Sequence, residues 1–137
     1  MKTKFSKELT LHRLEQAKDD LKACKMLFEG ELYKPANNRA YYSIFHSIRC
    51  VLSLEPIDFK RHKDVVAYFN KNYVNTEIFP KVIGRKISKA SQIREDSDYD
   101  DKFIADRIQT ELQIQAAEEL LQLVEKYIDE KINSEKA

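Results

Sequence analysis

Glycine and proline are scarce in this chain, and their scarcity limits the folds open to it. The 137 residues include only two glycines and three prolines. A sheet of many strands needs frequent turns, which these residue types commonly supply, whereas a few long helices need little turning. Hydrophobic residues make up 42% of the chain, enough to build one buried core at this length. We therefore predict a single all-α domain over residues 1–137.

Five segments carry apolar residues at steps of three and four, the spacing of an amphipathic helix. The first covers about 6–29 and ends at Gly30. The second covers about 36–54 and is apolar around most of its circumference, so it should lie at the centre of the fold. The other predicted helices cover about 62–73, 77–93 (with Pro80 in its first turn) and 103–132. The polar segment 94–101 is predicted as a loop, and the whole as an antiparallel bundle of about five helices.

The predicted core side of the last helix follows four-residue steps. Its positions are Ile104, Ile108, Leu112, Ala116, Leu120, Val124 and Ile128, with Tyr127 beside them. Burial of this series would hold the last helix against the rest of the bundle.

Charge, cysteines and hydropathy exclude several classes of protein. The 24 Lys and Arg residues nearly balance the 23 Asp and Glu residues, so any contact with nucleic acid must be local rather than the wide basic surface of a DNA-coating protein. Cys24 and Cys50 lie in predicted helices without metal-ligand spacing, which predicts two reduced, buried thiols. No apolar stretch approaches the ~20 residues that span a bilayer, and the N-terminus turns charged too quickly for a secretory signal. We expect a cytoplasmic protein that has no membrane contact.

The second predicted helix carries the densest cluster of reactive side chains. Seven helical steps fall about 20° short of two full turns, so Arg39 and His46 share a face, ~10 Å apart along the axis. Tyr42 lies between them and Arg49 extends the series. Arginine offers a planar cation for phosphate oxygens, and histidine exchanges a proton near neutral pH. The pair meets the needs of metal-free phosphodiester cleavage, although a core histidine and a surface salt bridge would show the same spacing.

The acidic segment 94–101 has alternating aspartates, as at the start of a calcium-binding loop. A calcium-binding loop that began at Asp96 would have Asp101 rather than glycine at its sixth position. Its twelfth position would be Arg107 rather than glutamate. These two positions exclude an EF-hand, and we predict no metal site. A solvated acidic segment before the last helix, paired with Arg94, is the expectation.

The segment NRAYYSIFH, residues 38–46, resembles the signature of the HEPN superfamily (higher eukaryotes and prokaryotes nucleotide-binding). That signature is an arginine and, after four to six residues, a histidine on the second main helix. The form here is similar to that of small bacterial and archaeal proteins of the UPF0332 branch, which His62 and the element 94–99 also match. The resemblance covers nearly the whole chain and implies an up-and-down four-helix core with one shorter helix.

The resemblance also implies a function. Many HEPN proteins are metal-independent endoribonucleases, often toxins encoded beside a nucleotidyltransferase antitoxin, and they typically form homodimers with one shared cleft. In such a site Arg39 would stabilise the scissile phosphate, and His46 would act as acid or base on the 2′-oxygen or the leaving group. No cofactor is implied. The residues expected to bind RNA or a nucleotide are Asn38, Tyr42, Arg49, Arg94, Asp98 and Tyr99.

Two positions depart from the family pattern. Ala40 stands where ribonuclease members usually carry a polar residue, and Ile48 where some toxins carry the tyrosine that receives a nucleotidyl group. Two alternatives to a ribonuclease therefore stay open. One is a non-catalytic module that binds a nucleotide or a partner nucleotidyltransferase, and the other is a structural cluster in which Tyr42 and His46 hold a dimer together.

Overall fold

The computed structural model describes residues 7–55, 57–100 and 102–136, and within these ranges it contains helices and no strand. The helices are α1 (Lys7–Glu29), α2 (Tyr33–Leu52), α3 (His62–Phe69), α4 (Lys81–Tyr99) and α5 (Arg107–Lys136); a π-helical turn (Asn70–Val74) continues from α3. The predicted all-α fold with five main helices is confirmed. None of the described helices is long and apolar enough to cross a membrane.

Helix α2 lies at the centre, as its apolar circumference predicts, and packs against α1, α3, α4 and α5. Small side chains of α2 lie at its contact with α1 and donate hydrogen bonds to α1 carbonyl groups. The Ser43 hydroxyl donates to the Ala17 carbonyl at 2.8 Å, and the Cys50 thiol donates to the Thr10 carbonyl at 3.3 Å. These bonds satisfy buried polar atoms at the α1–α2 contact.

Both cysteines are free and buried, as predicted. The Cys24 thiol donates to the Ala36 carbonyl at 3.0 Å. Burial raises the pKa of Cys24 and of Cys50 to about 12, because the thiolate would lose its hydration. Both side chains are therefore protonated parts of the core at neutral pH.

The predicted loop over residues 94–101 is wrong from 94 to 99, because α4 continues through Tyr99; Asp100 follows the helix, and Asp101 lies outside the described residues. Side chains one turn apart support the added turns: Gln92 donates to Asp96 at 2.9 Å, and Arg94 Nε lies 3.7 Å from Asp98 Oδ2. Glu95, Asp96 and Asp98 are exposed on the solvated side of α4 rather than in a loop.

The starts of three helices also differ from the prediction. α2 begins at Tyr33, so Pro35 lies in its first turn, where a missing N–H costs little. α4 begins just after Pro80, which precedes the helix rather than lying in it. α5 begins at Arg107 rather than near 103, because the Asp106 carboxylate accepts the Gln109 N–H at 2.7 Å and so caps the helix.

The four-residue series predicted for the last helix is buried only in its second half, and its first member, Ile104, precedes α5. Four residues turn a helix through about 400°, so each step moves the side chain about 40° further around the axis. The prediction is therefore wrong at its first three positions and confirmed at the later ones. Ile104, Ile108 and Leu112 are 83%, 76% and 57% exposed, whereas Ala116, Leu120, Val124 and Ile128 are buried.

Gly84 marks a close approach between α4 and the π-helical turn. A Cβ atom at this position would lie 2.9 Å from Cγ1 of the buried Val74. Overpacking of about 1–3 kcal/mol should outweigh the gain of about 1 kcal/mol in helix propensity. We expect Gly84→Ala to lower the free energy of unfolding in urea by about 1 kcal/mol, whereas Ser88→Ala on the exposed side of α4 should not lower it. A Gly84→Ala protein as stable as the wild type would contradict this packing.

Candidate functional site

Between residues 36 and 52 of α2, five side chains are partly exposed and all the others are buried. These five are Asn38, Arg39, Tyr42, His46 and Arg49, which we call the α2 face. All five are residues that the sequence analysis predicts for the site. The packing of neighbouring helices therefore leaves open the one side of α2 that carries the predicted chemistry.

The carboxylate of Asp20, on α1, joins the two central residues of the α2 face. Its Oδ1 accepts a hydrogen bond from Arg39 Nη1 at 3.0 Å, and its Oδ2 lies 3.7 Å from His46 Nε2. The Asp20 side chain is only 15% exposed. Although Arg39 and His46 start ~10 Å apart along the helix, their side chains converge on one anionic group within a single protomer.

Asp20 is not among the residues predicted from the sequence. It follows the buried Ala17 by three residues and precedes the buried Leu21, so it borders the apolar side of α1. That position gives no indication of its partners, because the register between α1 and α2 arises only when the two helices pack.

His46 lies in a positively charged and partly buried environment. Its side chain is 18% exposed, and Nδ1 is buried without a hydrogen-bond partner among the described residues. Burial lowers the pKa of His46; the Asp20 carboxylate opposes this shift, and the charges of Arg49, Arg13 and Arg39 add to it. The imidazole is therefore mainly neutral at neutral pH and can accept a proton.

Arg94, on α4, contacts the α2 face through Tyr42. Its Nη2 donates to the Tyr42 hydroxyl at 3.3 Å, and its guanidinium carbon lies 5.5 Å from the centre of that ring. The guanidinium of Arg39 lies 5.0 Å from the same ring. Tyr42 thus has cation–π contacts with two arginines from different helices.

Arg49 is held at the end of the α2 face nearest the loop after α2. Its Nη2 lies 3.8 Å from Asp58 Oδ1, and its guanidinium carbon lies 5.8 Å from the centre of the Phe45 ring. The Arg49 carbonyl accepts a hydrogen bond from Nη1 of the buried Arg13 at 3.1 Å. Arg13, which is also not among the residues predicted from the sequence, adds a fixed positive charge near His46.

The structure places Asp98 and Tyr99 beside a neighbouring cavity rather than on the α2 face. This cavity, the α3–α4 pocket, has a volume of about 400 Å³ and is also lined by Arg94. Tyr99 is 84% exposed, and Asp98 pairs with Arg94. Of the predicted residues Arg94, Asp98 and Tyr99, only Arg94 contacts both the α2 face and the α3–α4 pocket.

His62 joins the start of α3 to α2. Its Nδ1 lies 3.1 Å from the Tyr41 hydroxyl oxygen, and its ring stacks on Phe45 with the centres 3.9 Å apart. Burial lowers the pKa of His62, and the charges of Arg94 and Arg49 lower it further. His62 is a second neutral imidazole, but its ring is committed to these aromatic contacts.

The two positions that depart from the family pattern both face the core. Ala40 and Ile48 are each fully buried. A polar side chain at 40 would point away from the α2 face, and a side chain at 48 would be inaccessible to an enzyme that modifies it. Neither departure changes the composition of the α2 face.

The chemistry available on the α2 face is that of fixed positive charge beside a neutral imidazole. A guanidinium can bind two phosphate oxygens while an imidazole exchanges a proton. The Asp20 carboxylate shows that an anionic group fits between Arg39 and His46. Within the described ranges, no three or more His, Cys, Asp or Glu side chains come together to hold a metal ion.

Comparison with known proteins gives a family model and several relatives. The model of the HEPN domain matches residues 10–127. A putative toxin of Methanocaldococcus jannaschii is 38% identical over 86 residues, which are 63% of this chain and 64% of that protein. A second putative toxin of that organism is 30% identical over 100 residues, 73% and 67% of the two chains. A UPF0332 protein of Thermotoga maritima is 28% identical over 115 residues, 84% and 87% of the two chains.

Proposed function

This chain belongs to the HEPN family, and on that premise we propose that it is a toxin-type endoribonuclease that cleaves RNA at the α2 face without a metal ion. The observation that carries the proposal is the convergence of Arg39 and His46 on one carboxylate. It brings a fixed cation and a neutral imidazole within reach of the same anion. Similarity to relatives named as putative toxins supports the toxin role.

In the proposed reaction, Arg39 binds the non-bridging oxygens of the scissile phosphate and His46 accepts the proton of the 2′-hydroxyl. The 2′-oxygen attacks phosphorus, the bond to the 5′-oxygen breaks, and the leaving oxygen takes a proton from water. A 2′,3′-cyclic phosphate and a 5′-hydroxyl result. The lowered pKa of His46 supplies the neutral base, and Arg39 stabilises the charge that builds on the phosphoryl oxygens.

The direct test is cleavage of a short RNA by the purified protein in EDTA. A DNA oligonucleotide of the same sequence is the control, because it lacks the 2′-hydroxyl that the reaction requires. We expect the RNA to be cut to ends that carry a 2′,3′-cyclic phosphate, and the DNA to stay intact. Loss of cleavage in EDTA, or 3′-hydroxyl ends, would exclude the proposed chemistry.

Asp20→Asn is expected to move the acidic limb of the rate–pH profile to lower pH. The Asp20 carboxylate favours protonated His46, so without its charge His46 loses its proton at lower pH and the base becomes available there. The measurement is kcat/KM for RNA as a function of pH. Asp19→Asn is the matched control, since Asp19 is exposed on the same helix. An acidic limb at the same pH in wild type and Asp20→Asn would argue against His46 as the base.

We further propose a homodimer whose two α2 faces line one cleft, with a nucleotidyltransferase as antitoxin. The open α2 face, flanked by α1 and α4, leaves room for a second copy, and family membership supports both associations. Because residue 48 is a buried isoleucine, we expect the antitoxin to act by binding rather than by modifying that position. Light scattering should give twice the mass of one chain.

A further inference from the structure

We propose that the α3–α4 pocket binds a guanine base of the RNA, next to the scissile phosphate. The inference rests on the proposed function for the position of the RNA, and it adds a base preference. The pocket of about 400 Å³ lies between one side of α3, which contributes Lys63 and Val66, and one side of α4, which contributes Ser91 and Glu95. That volume is ample for a nucleobase with part of its sugar.

Arg94 joins the pocket to the α2 face. It lines the pocket, and it also donates a hydrogen bond to Tyr42 on the α2 face. The Tyr42 and Arg94 side chains would therefore lie between a phosphate held by Arg39 and the pocket, and we infer that the base of a flanking nucleotide enters it. No residue of the α2 face lines the pocket, which makes it a neighbouring subsite rather than part of the reacting centre.

Two oppositely charged groups in the pocket are available to a ligand. Glu95 and Lys63 are both exposed, and neither has an ion pair or side-chain hydrogen bond within the part of the chain that the structure describes. Asp98, by contrast, is paired with Arg94. Glu95 is therefore the carboxylate that can accept hydrogen bonds from a base.

Guanine is the base that fits these groups. Its N1–H and N2–H₂ lie side by side, so one carboxylate accepts both, and its O6 beside them accepts from an ammonium. Adenine, cytosine and uracil each offer only one such donor on that edge. Val66 and Ala67 supply apolar surface for the plane of the base, and the exposed Tyr99 ring at the same pocket is available for stacking.

The test compares RNAs that differ only in the base beside the cleaved bond. Guanosine should give kcat/KM about 10- to 100-fold higher than inosine, which lacks the N2 amine and so loses one hydrogen bond to a charged group. Glu95→Gln should reduce this ratio to about threefold or less, and it should also lower kcat/KM for the inosine RNA, because inosine keeps the N1–H that Glu95 accepts. Glu130→Gln, an exposed glutamate on α5, is the control and should keep the wild-type ratio.

A binding measurement separates failure of the pocket from failure of the ribonuclease proposal. Calorimetric titration with GMP should show tighter binding than IMP or AMP in the wild type, and no such preference in Glu95→Gln. GMP preference that depends on Glu95, without RNA cleavage, would retain the guanine site and reject the ribonuclease. GMP preference with RNA cleavage that ignores the base would assign the site to a free nucleotide and overturn the RNA subsite. Cleavage without preference in either assay would overturn the guanine site altogether.

Discussion

Replacing His46 with alanine is expected to lower the rate of RNA cleavage by about 10²- to 10⁴-fold, the usual contribution of a general base. We do not expect the second imidazole, His62, to replace it, because the Nδ1 of His62 contacts the Tyr41 hydroxyl and its ring stacks on Phe45. Single-turnover cleavage at saturating enzyme measures the chemical step. Circular dichroism should show the same helical content as the wild type, since His46 lies on the open side of α2.

His12→Ala is the matched control, because His12 is an exposed histidine on α1. It should cleave RNA at the wild-type rate. If His46→Ala cleaves as fast as His12→Ala, His46 is not the base. If His46→Ala instead unfolds or changes its oligomeric state, the structural alternative for Tyr42 and His46 explains the cluster better than catalysis does.

Replacing Arg39 with alanine is expected to lower kcat by about 10²- to 10³-fold, as loss of a group that stabilises transition-state charge commonly does. Arg39→Lys should recover only part of this loss, because lysine keeps the charge and lacks the planar fork that binds two phosphate oxygens. Arg85→Ala, an exposed cation on α4, controls for general loss of positive charge. An Arg39→Ala rate equal to that of Arg85→Ala would remove Arg39 from the mechanism.

The Arg39 and Asp20 variants should move the pH profile in opposite directions. The charge of Arg39 lowers the pKa of His46, and Arg39 also donates a hydrogen bond to the Asp20 carboxylate. Without Arg39, His46 keeps its proton to higher pH, so the acidic limb of residual activity moves up, whereas Asp20→Asn moves it down. Only a base placed between these two charges responds in this way, which makes the pair of profiles a sharper test than either rate alone.

Local sequence indicates the start of α5 better than it indicates the end of α4. Aspartate is a preferred N-cap residue, and the carboxylate of Asp106 accepts a hydrogen bond from the Gln109 N–H. Asp106 therefore indicates that α5 starts at 107 rather than at 103. The helical turns at 94–99 are harder to predict, because a run of charges is equally compatible with a loop until pairs such as Arg94 with Asp98 form one turn apart.

The composition of the α2 face follows from the sequence alone. Helical periodicity is local, so Arg39, Tyr42 and His46 share one side of α2 wherever that helix packs. The same locality explains why the all-α fold and the central position of the most apolar helix are confirmed. The error in the last helix has a related cause. Residues four positions apart are rotated by about 40° around the helix axis, so a series of such residues cannot all face the core, and on α5 Ile108 and Leu112 are exposed.

Only the tertiary structure reveals what these residues meet. Asp20 reaches Arg39 from 19 positions away, and Arg94 reaches Tyr42 from 52. Such pairings depend on how the side chains of separate helices interlock, which sets the register between helices and has no counterpart in the periodicity of either one. Local periodicity therefore accounts for the side chains that share the α2 face, and interhelical packing accounts for the carboxylate, the second arginine and the adjoining pocket that make it a candidate site.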